Sequence, residues 1–269
     1  MAESNPIVCS SIAGKIGGLG VLMHNKAYKE ANLNAVYVSF QPESAKGAIE
    51  SMRNLGFRGM GVTMPYKVEV IEFLDKLDET AEKIGAVNTI VNNDGILTGY
   101  NTDWVGAITT LKEQTTIKGK KVAMIGAGGV ARAILYGLNK EGANTTIFNI
   151  FEDEGNSLCN EMGAKFGGLP NEFNKDENWD ILINATSVGF NSDKTIFTAK
   201  DLPGDIIVLD VVFKPLETTF QKEAKKNNNI VIPGYKMLIY QAMAQDELYL
   251  GIKPKYEVML EALKEKFKD

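Results

Sequence analysis

Short apolar runs alternate along the whole chain with stretches whose apolar residues recur every three or four positions. The runs read as strands buried on both faces and the stretches as helices covering them, so the rhythm predicts parallel sheets flanked by helices. Strands are expected at "PIVCS", "AVYVSF" and "GMGVT", with helices over Val21–Ala31, Glu43–Leu55 and Lys67–Leu74. The segment "VNTIVNNDGILTGYNTD" breaks the rhythm. Its Asp94-Gly95 pair predicts a hairpin, because both central residues of a type I′ turn take positive φ. A first domain is expected to end there.

A second series then begins with strand "KKVAMI", a glycine turn, a helix over Val130–Lys140 stopped by Gly142, and strand "TTIFN". Further strands are expected at "DILINAT", "IIVLDVVF" and "IVIPG", and helices over Met237–Leu250 and Tyr256–Phe267 follow. The strand series of the second domain is complete without the last helix. That helix is therefore expected on the first domain, giving boundaries of 1–103 with 238–269, and 104–237.

A chain of 269 residues suits two domains, and 44% hydrophobic with 23% charged residues is the balance of a globular protein. The net charge of −5, with no basic stripe, argues against nucleic acid as a partner. No segment approaches the ~20 apolar residues that span a bilayer, and "MAESNPIVCSS" lacks the pattern of a secretory leader. A cytoplasmic enzyme or binding protein with no membrane partner is expected. Cys9 and Cys159 are too few for a disulfide framework, and with His24 as the one histidine no metal site is expected.

Two glycine loops compete for a nucleotide: "GKIGGLGVLMHN" (Gly14–Asn25) and "VAMIGAGGVARAIL" (Val122–Leu135). In the second, Gly126 permits a sharp turn after a buried strand, Gly128 a close backbone approach to pyrophosphate, and Ala131 tight helix-strand packing. The helix N-terminus then faces the anion. The first loop shows no long buried strand ahead of Gly14, and from its residues alone it reads as structural.

The motifs "GMGVTMPYK" (Gly59–Lys67), "GAVNTI" (Gly85–Ile90) and "GYNTD" (Gly99–Asp103) come first, and "IGAGGVARA", "NATSVGF", "DVVFKP" and "GYKMLIYQA" follow in order. The whole set resembles the shikimate dehydrogenase family, most closely its divergent shikimate dehydrogenase-like branch. The resemblance implies an α/β protein with an N-terminal mixed α/β substrate domain and a Rossmann domain, a doubly wound parallel sheet for the nucleotide. It implies hydride transfer between NAD or NADP and shikimate, quinate or a related ring hydroxy acid, within aromatic amino acid biosynthesis on the chorismate pathway. A monomer or homodimer is expected.

Carried over by residue, Lys67 and Asp103 form the catalytic pair, and Thr63, Asn88 and Gln241 contact the ring hydroxyls. The cofactor positions are Gly126, Gly128, Gly129, Ala131, Asn149, Glu152, Asn184, Thr186, Gly234 and Met237. Chemistry supports the pair: reducing a ketone needs a proton donor at the carbonyl oxygen, which a cleft lysine supplies and a carboxylate orients. Asp103 also reads as a helix N-cap before "WVGAI". His24 reads as a buried, hydrogen-bonded residue beside the first loop.

The chain departs from the family pattern twice. In the family two serines hold the substrate carboxylate and a tyrosine lies near it; here the serine positions are Gly18 and Gly20 and the tyrosine position is Phe213. Ser10, Ser11 and Lys15 are candidate substitutes. After the second nucleotide-domain strand, the arginine that meets the 2′-phosphate of NADP is Ile150, followed by Glu152–Glu154. Local residues thus favour NAD, while the family favours NADP. Competing readings are a regulatory nucleotide-binding module without turnover and a folate-type dehydrogenase; Lys67 with Asp103, and "TMPYK" with "YNTD", argue against them.

Overall fold

A computed structural model describes residues 5–267. The chain divides into two compact units, one of residues 1–102 and 239–269, the other of residues 103–238.

The first unit runs β1 (Ile7–Ile12), α1 (Leu19–Glu30), β2 (Ala35–Phe40), α2 (Ala45–Asn54) and β3 (Gly59–Val62), then β4 (Lys76–Leu77), α3 (Glu79–Ile84), β5 (Thr89–Asn93) and β6 (Ile96–Tyr100). Its sheet has the order β2-β1-β3-β5-β6-β4. The first three strands are parallel, and β5 enters antiparallel to both β3 and β6. The hairpin joining β5 to β6 turns on Asp94 at φ 52° and Gly95 at φ 91°, as the sequence requires of a type I′ turn. Ser44 caps α2 by accepting from the Gly47 N–H, and Gly85 ends α3 at φ 70°.

Two sequence expectations are corrected in this unit. The stretch expected as a helix over Lys67–Leu74 is a turn followed by a short 3₁₀ helix, Glu69–Phe73. The strand expected at "PIVCS" is also longer than that, running from Ile7 to Ile12 and so up to the first glycine loop. β1 lies between β2 and β3, with Cys9, Ser10 and Ile12 buried. Its two serines weakened the apolar signal.

The second unit contains α4 (Asp103–Lys112), β7 (Lys121–Ile125), α5 (Gly129–Lys140), β8 (Asn144–Phe148), α6 (Glu152–Met162), β9 (Lys165–Gly168), β10 (Ile181–Asn184), β11 (Ile207–Asp210), α7 (Thr219–Lys225) and β12 (Ile230–Ile232). All six strands are parallel, in the order β12-β11-β10-β7-β8-β9. Strands β10 and β11 are buried at every residue, as expected where helices cover both sheet faces. One apolar layer joins Ile108 and Leu111 of α4, Ile134 and Leu138 of α5, and Met124 of β7.

Helix α8 (Gly234–Leu250) starts in the second unit and ends in the first, and α9 (Tyr256–Lys266) follows. Helix α9 packs against α1, where Lys26 Nζ lies 2.9 Å from Glu261 and 2.8 Å from Glu265. Among the described residues no helix is long and apolar enough to cross a membrane, and no three His, Cys, Asp or Glu side chains gather to hold a metal.

Candidate active site

In the first unit the candidate residues gather at the C-terminal ends of the parallel strands. The Thr63 N–H donates to Ile12 O at 3.1 Å, the Val62 N–H to Asn88 O at 2.7 Å, and the Val87 N–H to Lys67 O at 2.8 Å. These bonds stitch the end of β1, the "TMPYK" turn and the segment before β5 into one layer. Thr63 is exposed and Lys67 half-buried.

Asn88 is buried, and its side chain is held from several sides. Its Oδ1 accepts from the Thr102 N–H and from Thr89 Oγ1, both at 2.7 Å, and its Nδ2 donates to Thr102 Oγ1 at 3.0 Å and Gln241 Oε1 at 3.3 Å. Gln245 Nε2 donates to Asn88 O at 3.1 Å and Thr89 Oγ1 at 3.0 Å. The amide orientation is thereby fixed. Nothing in the local sequence of Thr89, Thr102 or Gln245 signals a partner so remote along the chain.

The first glycine loop abuts this layer. The Gly14 N–H donates to Met64 O at 3.0 Å, and a Cβ at Gly14 would lie 3.0 Å from Pro65 Cδ. Lys15 is exposed, whereas Ser10 is fully buried and bonded to Gly59 O at 3.4 Å. Ser10 therefore does not serve as a substitute anion contact. Ser11 is partly exposed, with its Oγ 2.7 Å from Ser39 Oγ. His24 is buried as expected, its Nδ1 2.7 Å from Asp246 Oδ1.

The second unit presents a different end-of-strand chemistry. Gly126 holds φ 112°, and a Cβ there would stand 2.9 Å from Ala185 O. Any other residue would strain the backbone and push the turns after β7 and β10 apart. Those turns meet where the strand order reverses, the place where open parallel sheets receive ligands. A Cβ at Gly128 or Gly129 would meet nothing within 4 Å, and α5 has no side-chain cap. Open space thus faces the uncapped N–H groups of a helix of ordinary length. This combination suits a pyrophosphate. Ala131 is fully buried in the apolar layer below.

Asn184 is buried and fully occupied. Its Nδ2 donates to Asp210 Oδ1 at 2.9 Å, and its Oδ1 accepts from the Thr186 N–H at 3.0 Å and Thr186 Oγ1 at 2.7 Å. Asp210 in turn accepts from Thr218 Oγ1 at 2.6 Å, the Val212 N–H at 3.1 Å and Gln221 Nε2 at 3.3 Å. Burial raises the Asp210 carboxyl above the usual range, against the opposing effect of these bonds. Asn184 thus shapes the turn carrying Thr186. Asp210 opens the "DVVFKP" motif, where nothing local marks it as a buried network centre.

Beside β8, Asn149 is buried and donates to Phe151 O at 2.8 Å, while Ile150 and Phe151 are 66% and 59% exposed. Glu152, Asp153 and Glu154 form the first turn of α6. No basic side chain follows β8 in this segment. At the start of α8, a Cβ on Gly234 would come within 2.5 Å of Val212 O, so that helix approaches the chain after β11 at its closest limit. Met237 packs into the apolar layer with β7 and α5. Asp103, 7% exposed, opens α4, where a carboxylate also favours the helix dipole.

Sequence profiles of two known domains match the chain: the shikimate dehydrogenase substrate binding domain over residues 18–90 and the shikimate 5′-dehydrogenase C-terminal domain over residues 234–264. A shikimate dehydrogenase (NADP+) of Pyrococcus abyssi is 42% identical over 242 residues, covering 90% of each chain. The crystal structure of a shikimate dehydrogenase in complex with NADP+ superposes with a TM-score of 0.93 at 36% identity, covering 100% of this chain and 98% of the other. A quinate dehydrogenase from Corynebacterium glutamicum in complex with NAD gives 0.87 at 27% identity, covering 97% and 100%.

Proposed function

Because this chain belongs to the shikimate dehydrogenase family, we propose that it interconverts shikimate and 3-dehydroshikimate, or a related ring acid such as quinate, as an NAD(P)-dependent dehydrogenase. On this reading it serves aromatic amino acid biosynthesis by the chorismate pathway. The ring acid belongs to the first unit and the dinucleotide to the second. The observation that carries the reading is the stitching of Lys67 beside Asn88, with Val87 N–H donating to Lys67 O and Val62 N–H to Asn88 O. These bonds join the backbones of Lys67 and Asn88 into one layer, and the Asn88 amide is oriented by Thr102 and Gln241.

The bound dinucleotide supplies or removes hydride; the chain's own residues manage protons and position. Lys67 donates a proton to the ketone oxygen during reduction and withdraws it during oxidation, with Asp103 orienting the ammonium. Thr63, Asn88 and Gln241 hold ring hydroxyls, and the fixed Asn88 amide lowers the cost of ordering on binding. Gly126, Gly128 and Gly129 take the pyrophosphate, with Thr186 on the turn that Asn184 shapes. NAD is the preferred cofactor on this reading. Ile150 offers no charge to a 2′-phosphate, and the acidic turn Glu152–Glu154 accepts hydrogen bonds from free ribose hydroxyls.

Initial rates of dinucleotide reduction with shikimate and quinate, each with NAD+ and NADP+, test the function. Turnover of at least one ring acid is expected. Absence of turnover with all four combinations would overturn the assignment.

A further inference from the structure

Helix α8 carries Gln241, Gln245 and Asp246 into the first unit. The two glutamines, four residues apart, stack on one face of the helix. That face meets the ring-hydroxyl contacts: Asn88 Nδ2 donates to Gln241 Oε1 at 3.3 Å, and Gln245 Nε2 donates to Asn88 O at 3.1 Å and to Thr89 Oγ1 at 3.0 Å. Asp246 leaves the helix about 100° further round and meets α1, where its Oδ1 lies 2.7 Å from His24 Nδ1. Both members of this pair are buried, at 0% and 1% exposed, and neither takes part in the proposed chemistry.

The helix that Asp246 grips is itself fixed. Asn25 of α1 takes both backbone groups of Tyr37 on β2, donating from Nδ2 to Tyr37 O at 2.8 Å and accepting the Tyr37 N–H on Oδ1 at 2.9 Å. The His24 ring stacks on the Tyr37 ring at 4.1 Å between centroids and 18° between planes. Near the end of α8, Arg58 Nε donates to Tyr249 O at 2.7 Å and opposes sliding along the helix axis. Helix α8 is therefore held from two directions, at the start of β5 through Gln245 and at α1 through Asp246.

The second hold controls rotation. Side-chain atoms lie ~5–6 Å from a helix axis, so a roll of about 20° carries them about 2 Å. The bond from Asn88 to Gln241 already stands at 3.3 Å and does not survive that shift. An apolar side chain of similar size would fill the same space without the cost of burying a carboxylate. Among the described residues Asp246 Oδ2 has no hydrogen-bond partner, so the bond to His24 orients the whole group. What that bond supplies, and an apolar contact does not, is a fixed direction.

We propose that the buried Asp246–His24 pair is a positioning element for the ring-acid site: it fixes the roll of α8 and so the alignment of Gln241 with Asn88. This rests on the functional reading above. Steady-state kinetics of the full chain test it, with shikimate, or quinate if the parent uses only that, varied at saturating dinucleotide, and the converse. His24→Phe with Asp246→Leu replaces the pair by apolar groups and keeps a ring on Tyr37, so the melting temperature is kept. In that paired variant kcat/KM for the ring acid falls roughly tenfold, the effect of one misaligned hydrogen bond, while the dinucleotide KM stays within about twofold. Asp246→Asn retains an acceptor for His24 Nδ1 and retains kcat/KM. Gln241→Ala lowers kcat/KM by itself, and adding the paired substitutions to it lowers the ratio no further, because the group they align is gone. A role in stability alone would give the same further fall in both backgrounds. That result overturns the proposal, as does an unchanged kcat/KM in the paired variant, a loss in Asp246→Asn equal to that of the paired variant, or a paired variant that does not fold. A parent chain that turns over no ring acid overturns the functional reading and this inference together, whereas turnover with any of those results overturns this inference alone.

Discussion

Two segments of this protein are spelled almost alike, strand, glycines, apolar helix, yet they answer to different constraints. Between β7 and α5 the chain has only residues 126–128 in which to reverse, so Gly126 must adopt φ 112° against Ala185 O. Between β1 and α1 it has residues 13–18, and the strain falls on one position, Gly18 at φ 77°. A Cβ at Gly17 would meet nothing within 4 Å, whereas one at Gly14 would lie 3.0 Å from Pro65 Cδ. The short loop keeps backbone N–H groups bare in open space; the long one leans on the "TMPYK" turn and the strand ends that carry Lys67 and Asn88. Glycine content therefore does not tell these two kinds of loop apart. Loop length and the neighbour across the turn do.

The comparison is tested most severely by removing the chemistry from one side only. Lys67→Ala, beside the long loop, is expected to lower kcat by ~10² to 10⁴ while dinucleotide affinity measured by fluorescence titration barely moves. Loss of dinucleotide binding in that variant would mean the two regions are not divided as described. Gly126→Ala does the converse. Positive φ costs an alanine ~1–2 kcal/mol before the Ala185 contact is counted, so dinucleotide affinity is expected to fall by tenfold or more and the melting temperature to drop. Gly17→Ala, in the long loop, should leave both measurements unchanged.

A smaller effect sharpens the second region. Ile150→Arg is expected to shift the kcat/KM ratio towards NADP by about tenfold, since one charge-assisted bond contributes ~1.5–3 kcal/mol and exposure screens part of it. A parent enzyme with strong NADP preference would show that a cation from elsewhere in the chain reaches the phosphate. In the first region, Gly20→Ser should lower the KM for shikimate a few-fold. Gly18→Ser should instead lose ~1–2 kcal/mol in chemical denaturation, because its φ favours glycine.

The smallest expected effect is on the pH dependence of stability. The folded carboxyl of Asp210 is raised by burial, so above the ordinary carboxylate value the folded chain binds more protons than the unfolded one. Its contribution to stability is therefore present at low pH and is lost as pH rises through the raised value. Denaturation midpoints across that window should fall less steeply with pH in Asp210→Asn than in the parent. An unchanged slope would remove Asp210 as the cause.

What the sequence by itself determined was local or periodic. The Asp94-Gly95 hairpin, the stop at Gly142 with φ 78°, the buried parallel strands and the strand-glycine-helix turn at Gly126 all follow from constraints acting within a few residues. The resemblance added Thr63, Lys67, Asn88 and Gln241, which the fold gathers in one unit. Only the tertiary structure decided which polar groups are buried and what they face. The extension of β1 past "PIVCS" is hidden by the polar Ser10 and Ser11, whose hydroxyls are satisfied by Gly59 and Ser39, far along the chain. The Asp210 network around Asn184 and the pairing of His24 with Asp246 were invisible for the same reason. A polar side chain is tolerated in a core only when a partner meets it there, and the partner's identity is written elsewhere in the sequence with no local mark.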